Sequence, residues 1–585
     1  MTSTPRGEIT RVAGPLVEIV HAGDVAMSDV VLLGTDELPS EIVAIRDGSV
    51  TVQAYEYTGG LAPGDAAVPC GHPLSANLGP GLLGGVFDGL LRPLSDAPTW
   101  LAAGTAGRPA KGTARLWPFE PSVSAGERVK SGAVLGVVTG TGPLAHRLLA
   151  PPGVGGVVDE IVAAGRYRAD DHVATVAGVP VAMTTSWPVR RPRPASARIE
   201  TAEPLHTGQR VLDLLFPIAR GSTAAVPGGF GTGKTVLLQQ IAKWCDADVI
   251  VYVGCGERGN ELAEIVGELF ELTDPHTGGR LADRTVVIAN TSNMPMMARE
   301  ASIYTGVTVA EYYRDMGYHC VVMADSTSRW AEALREFSSR SGELPAEEGY
   351  PAGLASALAA FYERAGVVTT LGGGTGSVTI IGAVSPPGGD LTEPVTAHTE
   401  RFVRCRWTLD RDLAYARHYP AVSWSASFSR DAEALTAHFR HGDADGADPD
   451  WPVRRGRMVG LLAAADRLAA LAELVGVTAL PSHERMTVLG GRLLREAVLQ
   501  QSALSTSDAF CSPEKGAALI DAVLDVVDGC ERATAAGTPP GEIERLDFGP
   551  LIRAREQAGP HDVDGVRTHR DDMLALLATL EGERR

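Results

Sequence analysis

The sequence lacks the cysteine patterns that mark secreted or zinc-binding proteins. Its seven cysteines are spread over 585 residues and form no CxxC pair and no cysteine/histidine cluster at metal-ligand spacing. This spacing argues against a disulfide framework and against a structural zinc module. A reducing compartment such as the cytoplasm fits such usage.

The chain also has no long basic run and no long apolar run. Its 52 lysines and arginines against 71 acidic residues give a net charge of -19. A surface for duplex nucleic acid or an anionic membrane needs clustered cations, so neither partner is expected. No stretch reaches the roughly 18 consecutive apolar residues that span a bilayer, and the N-terminus does not resemble a signal peptide. Any membrane role must therefore come through partners.

What is present indicates a multidomain α/β protein. With 585 residues, 44% of them hydrophobic and 21% charged, the chain should form three or four globular domains. The residue pattern predicts a β-barrel over 1–70, a Gly/Pro/Ala-rich connector over 71–110 and a separate β-rich module over 111–185. Strands alternate with helices over 186–430, which predicts a parallel sheet, and the period is helical over 431–585.

A glycine-rich segment, Gly228-Gly-Phe-Gly-Thr-Gly-Lys-Thr235, matches GxxxxGK[ST] between a strand-like run and a helical one. Glycines let backbone N–H groups turn towards phosphate oxygens, and the helix start adds positive charge. Lys234 can then reach the β- and γ-phosphates, and the Thr235 hydroxyl can ligate Mg²⁺. The alternative is a glycine-rich turn that matches by chance. We predict nucleotide binding by Gly228, Gly229, Phe230, Gly231, Thr232, Gly233, Lys234, Thr235 and Val236.

A second buried strand is predicted to end in a carboxylate. The apolar run after His319 ends at Asp325. P-loop enzymes hold the Mg²⁺ shell with an acid in this place, so Asp325 is the candidate, directly or through a water. The alternative makes Asp325 a helix N-cap beside Ser326 and Thr327.

Between these motifs, a third predicted strand ends in Val251-Tyr-Val-Gly-Cys-Gly-Glu257-Arg258. Ligands bind beyond the carboxyl ends of strands in open α/β sheets, so Glu257 should point towards the nucleotide. Its carboxylate could orient a water for attack on the γ-phosphate, and Arg258 could balance the phosphate charge. Taken alone, the two residues would more often form a solvated loop pair.

Six further segments follow a fixed order along the chain. They are Gly85-Val-Phe-Asp-Gly-Leu-Leu-Arg-Pro93, Gly208-Gln-Arg-Val-Leu-Asp213, Gly254-Cys-Gly-Glu-Arg-Gly-Asn-Glu261, Asp325-Ser-Thr-Ser-Arg-Trp-Ala-Glu-Ala-Leu-Arg335, Glu347-Glu-Gly-Tyr-Pro351 and Ser385-Pro-Pro-Gly-Gly-Asp390. Together with the P-loop, this series resembles the catalytic A subunit of V/A-type rotary ATPases almost from end to end.

The resemblance implies an N-terminal β-barrel, an inserted β-rich module at 111–185, a P-loop (RecA-like) nucleotide-binding domain and a C-terminal helical domain. It implies ATP hydrolysis or synthesis coupled to H⁺ or Na⁺ transport, with Mg²⁺ as cofactor and ATP/ADP as substrate. The implied partners are a non-catalytic B-type subunit in an alternating hetero-hexameric ring, central and peripheral stalks and a membrane sector. The resemblance implies a cytoplasmic location, in which those partners hold the protein at the inner face of the cell membrane.

The resemblance also implies an adenine pocket. The family's segments read here His418-Tyr419-Pro420 and Leu499-Gln500-Gln501-Ser502-Ala503-Leu504. Tyr419 keeps a stacking ring, whereas Leu504 replaces an aromatic residue. We predict base contacts from Tyr419, Gln500, Gln501 and Ala503. The alternative makes Tyr419 and Leu504 core residues.

Two other functions use the same nucleotide-binding core. One is a ring member that binds nucleotide without turnover, which would follow if Glu257 lay away from the γ-phosphate. The other is an RNA translocase or secretion ATPase. The acidic charge and the absence of an aromatic and basic RNA platform argue against the translocase.

Overall fold

The N-terminal region is a closed six-stranded barrel. The computed structural model describes residues 7–46, 48–94, 115–200, 202–440 and 448–582. Strand β2 shows the alternation that forms the barrel, since Val17 and Ile19 are buried and their neighbours less so. The barrel order is β1-β2-β5-β4-β3-β6, from β1 (Gly7–Ala13), β2 (Leu16–Val20), β3 (Asp29–Leu33), β4 (Leu38–Arg46), β5 (Ser49–Ala54) and β6 (Ala66–Pro73).

The segment after the barrel pairs with two other regions instead of running free as a connector. Strand β7 (Ser75–Leu78) pairs with a later strand at Thr185–Pro188, and β8 (Val86–Phe87) lies parallel to the strand at Thr285–Thr291. The predicted connector did not include these pairings, because two- to four-residue strands leave no periodicity to detect. Residues 95–110 of that connector, and 111–114 of the predicted module, lie outside the described residues.

The inserted region folds around a core of its own. Buried residues from both of its sheets, among them Trp117, Phe119 and Val158, pack together. The sheets have the orders β10-β13-β15-β16 and β12-β11-β9-β14. Their strands are β9 (Leu116–Pro121), β10 (Arg128–Val129), β11 (Val134–Val138), β12 (His146–Leu149), β13 (Gly156–Ile161), β14 (Gly165–Arg168), β15 (His172–Val176) and β16 (Val179–Ala182).

The region over 186–430, which the sequence predicts to bind nucleotide, is built on a mixed sheet whose centre is parallel. The strand order is β28-β27-β21-β26-β24-β22-β23-β8. Its strands, with smaller ones beside it, are β17 (Thr185–Pro188), β18 (Ala197–Ile199), β19 (Pro204–Leu205), β20 (Ile218–Ala219), β21 (Thr223–Pro227), β22 (Val249–Glu257), β23 (Thr285–Thr291), β24 (His319–Asp325), β25 (Gly366–Thr369), β26 (Thr375–Val384), β27 (Cys405–Arg406) and β28 (Phe428–Ser429).

Helices cover both faces of this sheet, which explains why its central strands are apolar throughout. Ile250 and Tyr252 of β22 share a core with α2, whereas Val251 and Val253 share one with α4. The helices of this region are α1 (Arg210–Leu215), α2 (Lys234–Trp244), α3 (Gly259–Glu271), α4 (Met296–Asp315), α5 (Thr327–Ser341), α6 (Leu354–Tyr362), α7 (Pro394–Phe402), α8 (Arg411–Tyr415) and α9 (Asp431–Arg440).

The C-terminal region is helical and packs against the region that carries the mixed sheet, since Leu494 and Leu499 share one core with Leu214. Its helices are α10 (Trp451–Val475), α11 (Ser482–Leu494), α12 (Pro513–Ala535), α13 (Pro540–Ile543), α14 (Gly549–Gln557) and α15 (Val563–Gly582), and a π-helical turn at Arg495–Leu499 follows α11. The fold class predicted from the sequence is confirmed. Among the described residues, none of the helices combines the length and the hydrophobicity of a membrane span.

Candidate functional site

The glycine-rich segment forms the turn between β21 and α2. Gly231 and Gly233 have φ values of +79° and +90°, which residues with a side chain rarely adopt. A Cβ on Gly228 would meet Thr232 Oγ1 at 2.7 Å, so close packing also requires glycine there. Thr232 donates to the Gly229 carbonyl. Phe230 lies at the tip of the turn, 99% exposed, and Val236 is half-exposed on the first turn of α2.

The side chains of Lys234 and Thr235 extend from the start of α2 in different directions. Lys234 Nζ donates to the carbonyls of Gly228 and Gly229, at 2.7 and 2.8 Å. Thr235 Oγ1 donates to Asp325 Oδ2 at 3.1 Å. Burial lowers the pKa of Lys234, while the charges of Asp325 and Glu257 raise it. Both predicted acids therefore lie near the predicted lysine, at one edge of the sheet.

Asp325 lies at the end of β24 with only 2% of its surface exposed. Burial raises the pKa of its carboxyl, and hydrogen bonds from Tyr252 and Thr235 together with the Lys234 charge oppose that rise. The predicted alternative, an N-cap, does not describe it, because Ser326 is the N-cap of α5. A hydroxyl and a carboxylate in contact are hard oxygen donors of the kind Mg²⁺ binds, so Thr235 and Asp325 fit that ion.

Glu257 reaches the site because the end of β22 bulges. The register with β23 shifts between Cys255 and Glu257, and Gly256 between them has a φ of +75°. A Cβ on Gly256 would meet Arg329 Cβ at 2.8 Å, so glycine is required there. Such bulges re-aim side chains beside functional sites. Burial, and then the charge of Asp325, raise the pKa of Glu257 to about 7, whereas Arg329 lowers it.

Arg258 extends mostly into solvent. Its side chain is 74% exposed and lies 3.8 Å from a carboxylate oxygen of Glu261, one turn along α3. The partner is Glu261 and not Glu257, so this contact is not the Glu257–Arg258 loop pair that the sequence left open as an alternative.

Two residues of the site were not predicted from the sequence. Tyr252 donates from its hydroxyl to Asp325 Oδ2 at 3.0 Å, but its place within an apolar strand made it indistinguishable from a core residue. Arg329, in the first turn of α5, lowers the pKa of Glu257 through its positive charge. Its signal was present in the segment Asp325-Ser-Thr-Ser-Arg329, where the first turn of a helix follows the acidic strand end.

Tyr419 lies beside the glycine-rich turn. A Cβ on Gly233 would be 3.8 Å from Tyr419 Cε1. The Tyr419 carbonyl accepts a hydrogen bond from the Gln501 backbone N–H at 2.8 Å, which joins the two segments predicted to bind the base. Tyr419 is 43% exposed and Leu504 is 98% exposed, so neither is the core residue that the alternative required.

The side chain of Gln501 is turned towards the protein interior. Its Oε1 accepts from the Arg210 backbone N–H at 2.8 Å, and its Nε2 donates to the Gly208 carbonyl at 2.9 Å. Gln500 presents its carbonyl to Arg210 Nη2 at 2.6 Å. Ala503 is exposed next to Leu504. These contacts shape the segment, and the base contacts predicted for Gln500, Gln501 and Ala503 remain predictions.

Four family models cover most of the chain. They describe the β-barrel domain of the ATP synthase alpha/beta family at 9–71, the barrel-sandwich domain of the alpha/beta subunits at 109–190, the nucleotide-binding domain at 208–429 and the C-terminal domain of V and A type ATP synthase at 442–532. The fold and site thus define a nucleotide-binding subunit of the ATP synthase class.

Individual relatives narrow that class. The chain is 48% identical over 582 residues to a V-type ATP synthase alpha chain from Anaeromyxobacter sp. (strain K), covering 99% of this chain and 100% of the relative. It is 47% identical over 558 residues to the A subunit of the A-type ATP synthase from Methanopyrus kandleri, covering 94% and 93%. The chain therefore belongs to the ATP synthase alpha/beta family, in the branch that contains V-type alpha chains and A-type A subunits.

A solved structure supports the fold at greater distance. The ATPase EscN of the enteropathogenic E. coli type III secretion system aligns with a TM-score of 0.63 at 21% identity, over 89% of this chain and all of that one. At this identity the likeness concerns the fold alone.

Proposed function

We propose that the chain is the catalytic subunit of a V/A-type rotary ATPase and that it makes and breaks the terminal phosphate bond of ATP. The observation that carries the proposal is the convergence of three strand ends. The turn after β21 brings Lys234 and Thr235, β24 brings Asp325 in contact with Thr235, and β22 brings Glu257 close enough for its charge to act on Lys234.

Each of these groups has a defined task in phosphoryl transfer. Backbone N–H groups of 228–235 and the start of α2 receive the phosphates, and the Lys234 ammonium neutralises their charge. Thr235 and Asp325 would hold Mg²⁺, Asp325 directly or through a water. Bound Mg²⁺ supplies positive charge to the β- and γ-phosphate oxygens. Tight placement of the triphosphate accounts for much of the rate enhancement expected here.

Glu257 is the group that orients the attacking water. A carboxylate whose pKa is about 7 can, when ionised, accept a hydrogen bond from the water. It can then take up the proton that the water loses as it attacks. Its position at the bulge, beyond the end of β22, places it on the ligand side of the sheet. Exposed Arg258 would supply further positive charge to the γ-phosphate once drawn in from solvent.

The base would lie between the glycine-rich turn and the segments that the C-terminal region supplies. Tyr419 offers a ring for stacking, and Gln500, Ala503 and the backbone of Gln501 would form the neighbouring wall. Leu504 adds an apolar surface without a π face.

The complete machine would contain further subunits. We place the chain in an alternating hetero-hexameric ring with a non-catalytic B-type subunit, joined by central and peripheral stalks to a membrane sector that moves H⁺ or Na⁺. The resemblance to V/A-type ATPases also implies that an arginine from the neighbouring B-type subunit would complete the site. Rotation of the central stalk would change the closure of each site in turn. The ring would lie at the inner, cytoplasmic face of the membrane.

The test is reconstitution with the B-type partner and stalk, followed by measurement of Mg-ATP hydrolysis. Glu257→Gln should lower the rate by roughly 10²–10⁴-fold, the range for loss of a general base, while nucleotide still binds. Glu264→Gln is the matched control, since Glu264 is exposed on α3 and should leave the rate unchanged.

Three outcomes would contradict the proposal. A rate that is undiminished in Glu257→Gln would remove that residue from the mechanism. Absence of hydrolysis in the reconstituted wild-type complex would favour a ring member without turnover, and stimulation by added RNA would favour a translocase.

A further inference from the structure

One buried hydroxyl contacts the candidate magnesium site from behind. Tyr252 lies in the middle of β22, fully buried on the face that packs against α2. Its ring is surrounded by apolar residues, so a phenylalanine could replace it without loss of packing. A buried tyrosine hydroxyl needs a hydrogen-bond partner. The partner here is Asp325, at 3.0 Å.

The geometry of Asp325 depends on this contact. Oδ2 accepts from Tyr252 on the adjacent strand and from Thr235 at the start of α2. Rotation of the carboxylate would break both hydrogen bonds together. No residue in the described part of the chain donates to Oδ1. The two donors therefore fix one oxygen and leave the other free to face the metal and its waters.

We propose that the Tyr252 hydroxyl is a positioning group that orients Asp325 for the Mg²⁺ shell and thereby sets the Mg²⁺-dependent part of nucleotide affinity. The inference rests on the proposed function, because it assumes that Asp325 serves Mg²⁺. A hydrogen bond to a metal-binding carboxylate orients that carboxylate, and its loss usually weakens metal binding by roughly 10–100-fold. Tyr252 acts only through Asp325 and would touch neither nucleotide nor metal.

The experiment compares the full-length wild type with Tyr252→Phe. Binding of a fluorescent ATP analogue is titrated in EDTA and at increasing Mg²⁺ concentration, and Mn²⁺ affinity is measured separately by the electron paramagnetic resonance of free Mn²⁺. We expect affinity in EDTA to stay within about twofold of wild type, and the half-maximal Mg²⁺ and Mn²⁺ concentrations to rise roughly 10-fold or more.

Tyr304→Phe is the matched control. Tyr304 is also buried, on α4 in the other core, and its hydroxyl faces the Ala357 carbonyl at 3.4 Å. This variant should leave both metal concentrations unchanged. Thermal unfolding of both variants checks the fold, since removal of one hydroxyl from a ring that keeps its packing should move the midpoint by only a few degrees, by about the value of one hydrogen bond.

Three results would overturn the inference. Metal affinities equal to wild type in Tyr252→Phe would show that the hydroxyl does not set the position of Asp325. An equal loss of affinity in EDTA and in Mg²⁺ would show that Tyr252 acts on the nucleotide site as a whole. Wild-type binding that is indifferent to Mg²⁺ would overturn the proposed function, and the inference with it.

Discussion

The phosphate side and the base side of the candidate site are held in place by different means. The phosphate side, residues 228–235 with Glu257 and Asp325, consists of a local turn and two strand ends of one sheet. The base side, Tyr419 with residues 500–504, belongs to loops far apart in the chain. Its position depends on buried charge: Arg210 pairs with Asp508 at 2.6 Å, with 1% and 0% of the two side chains exposed.

A second buried cation supports the base side. Lys515 Nζ donates to the carbonyls of Ser507, Arg555 and Ala558, at 3.1, 2.7 and 2.9 Å. Arg210 lies in the nucleotide-binding region and also donates to the Val498 carbonyl. Sheet geometry alone can thus align groups for phosphate, whereas a base pocket between two regions requires long-range polar contacts. It follows that the two sides should be separable by mutation.

The largest loss of ligand affinity is expected at the phosphate side. Lys234→Ala removes a charged donor, worth about 1.5–3 kcal/mol, from a site for a polyanion. ATP and inorganic tripolyphosphate, which has no base, should therefore both bind roughly 10–100-fold more weakly. Competition titrations with a fluorescent nucleotide measure both affinities. Lys243→Ala, in the last turn of the same helix, is the control. If Lys234→Ala weakened the binding of ATP but not of tripolyphosphate, Lys234 would not act on the phosphates alone.

Breaking the Arg210–Asp508 pair should affect the base side alone. Arg210→Met removes the nearer charge partner of buried Asp508, at 2.6 Å, and leaves the Arg555 guanidinium 4.0 Å away. Removal of one partner from a buried pair typically destabilises a protein by about 3–5 kcal/mol. We expect the free energy of unfolding, measured in denaturant, to fall by this amount. ATP should bind more weakly, whereas the affinity for tripolyphosphate should stay within about twofold of wild type. Arg220→Met is the control, because its pair with Asp246 is part-exposed and worth about 0–1 kcal/mol. Equal loss for both ligands would show that the two sides are one unit.

Removal of the stacking ring tests the base side directly. Tyr419→Ala should weaken ATP binding by roughly 5–100-fold, since stacking of a base on an aromatic ring is worth about 1–3 kcal/mol. Tyr419→Phe should stay close to wild type, and tripolyphosphate should not distinguish the three proteins. Isothermal titration calorimetry measures these affinities. An unchanged ATP affinity in Tyr419→Ala would place the base elsewhere.

The pH dependence sharpens the assignment of Glu257 on the phosphate side. Its pKa of about 7 leaves it protonated at lower pH, where it cannot accept a proton from water. In the reconstituted complex, kcat/KM should therefore fall about tenfold per pH unit below that value. Arg329 lowers this pKa, so Arg329→Gln should move the acidic limb to higher pH. If the acidic limb of the Arg329→Gln profile stayed at the wild-type pH, a group other than Glu257 would be the one that titrates.

The difference between the two sides also explains what could be predicted from the sequence. Lys234, Thr235 and Asp325 follow from a local motif and a strand end, because parallel strands bring their carboxyl ends to one edge. Tyr252 was missed because its hydroxyl has meaning only beside Asp325, 73 residues away. The role of Gln501 in binding Gly208 and Arg210 was equally hidden, since no local pattern reports a contact across 293 residues. The pairings of β7 and β8 were missed because strands of two to four residues leave no periodicity to detect.

The smallest expected effect concerns Leu504, where the chain has an exposed aliphatic residue on the base side. Leu504→Phe would add a second aromatic face to the base side, and aromatic contacts contribute about 0.5–1.5 kcal/mol beyond area burial. ATP should then bind roughly 2–10-fold more tightly, with tripolyphosphate unchanged, while Leu504→Ile should match wild type. The gain should vanish in Leu504→Phe combined with Tyr419→Ala if the base needs both rings. An unchanged affinity in Leu504→Phe would mean that residue 504 lies beyond the base, so that the base side ends at Ala503.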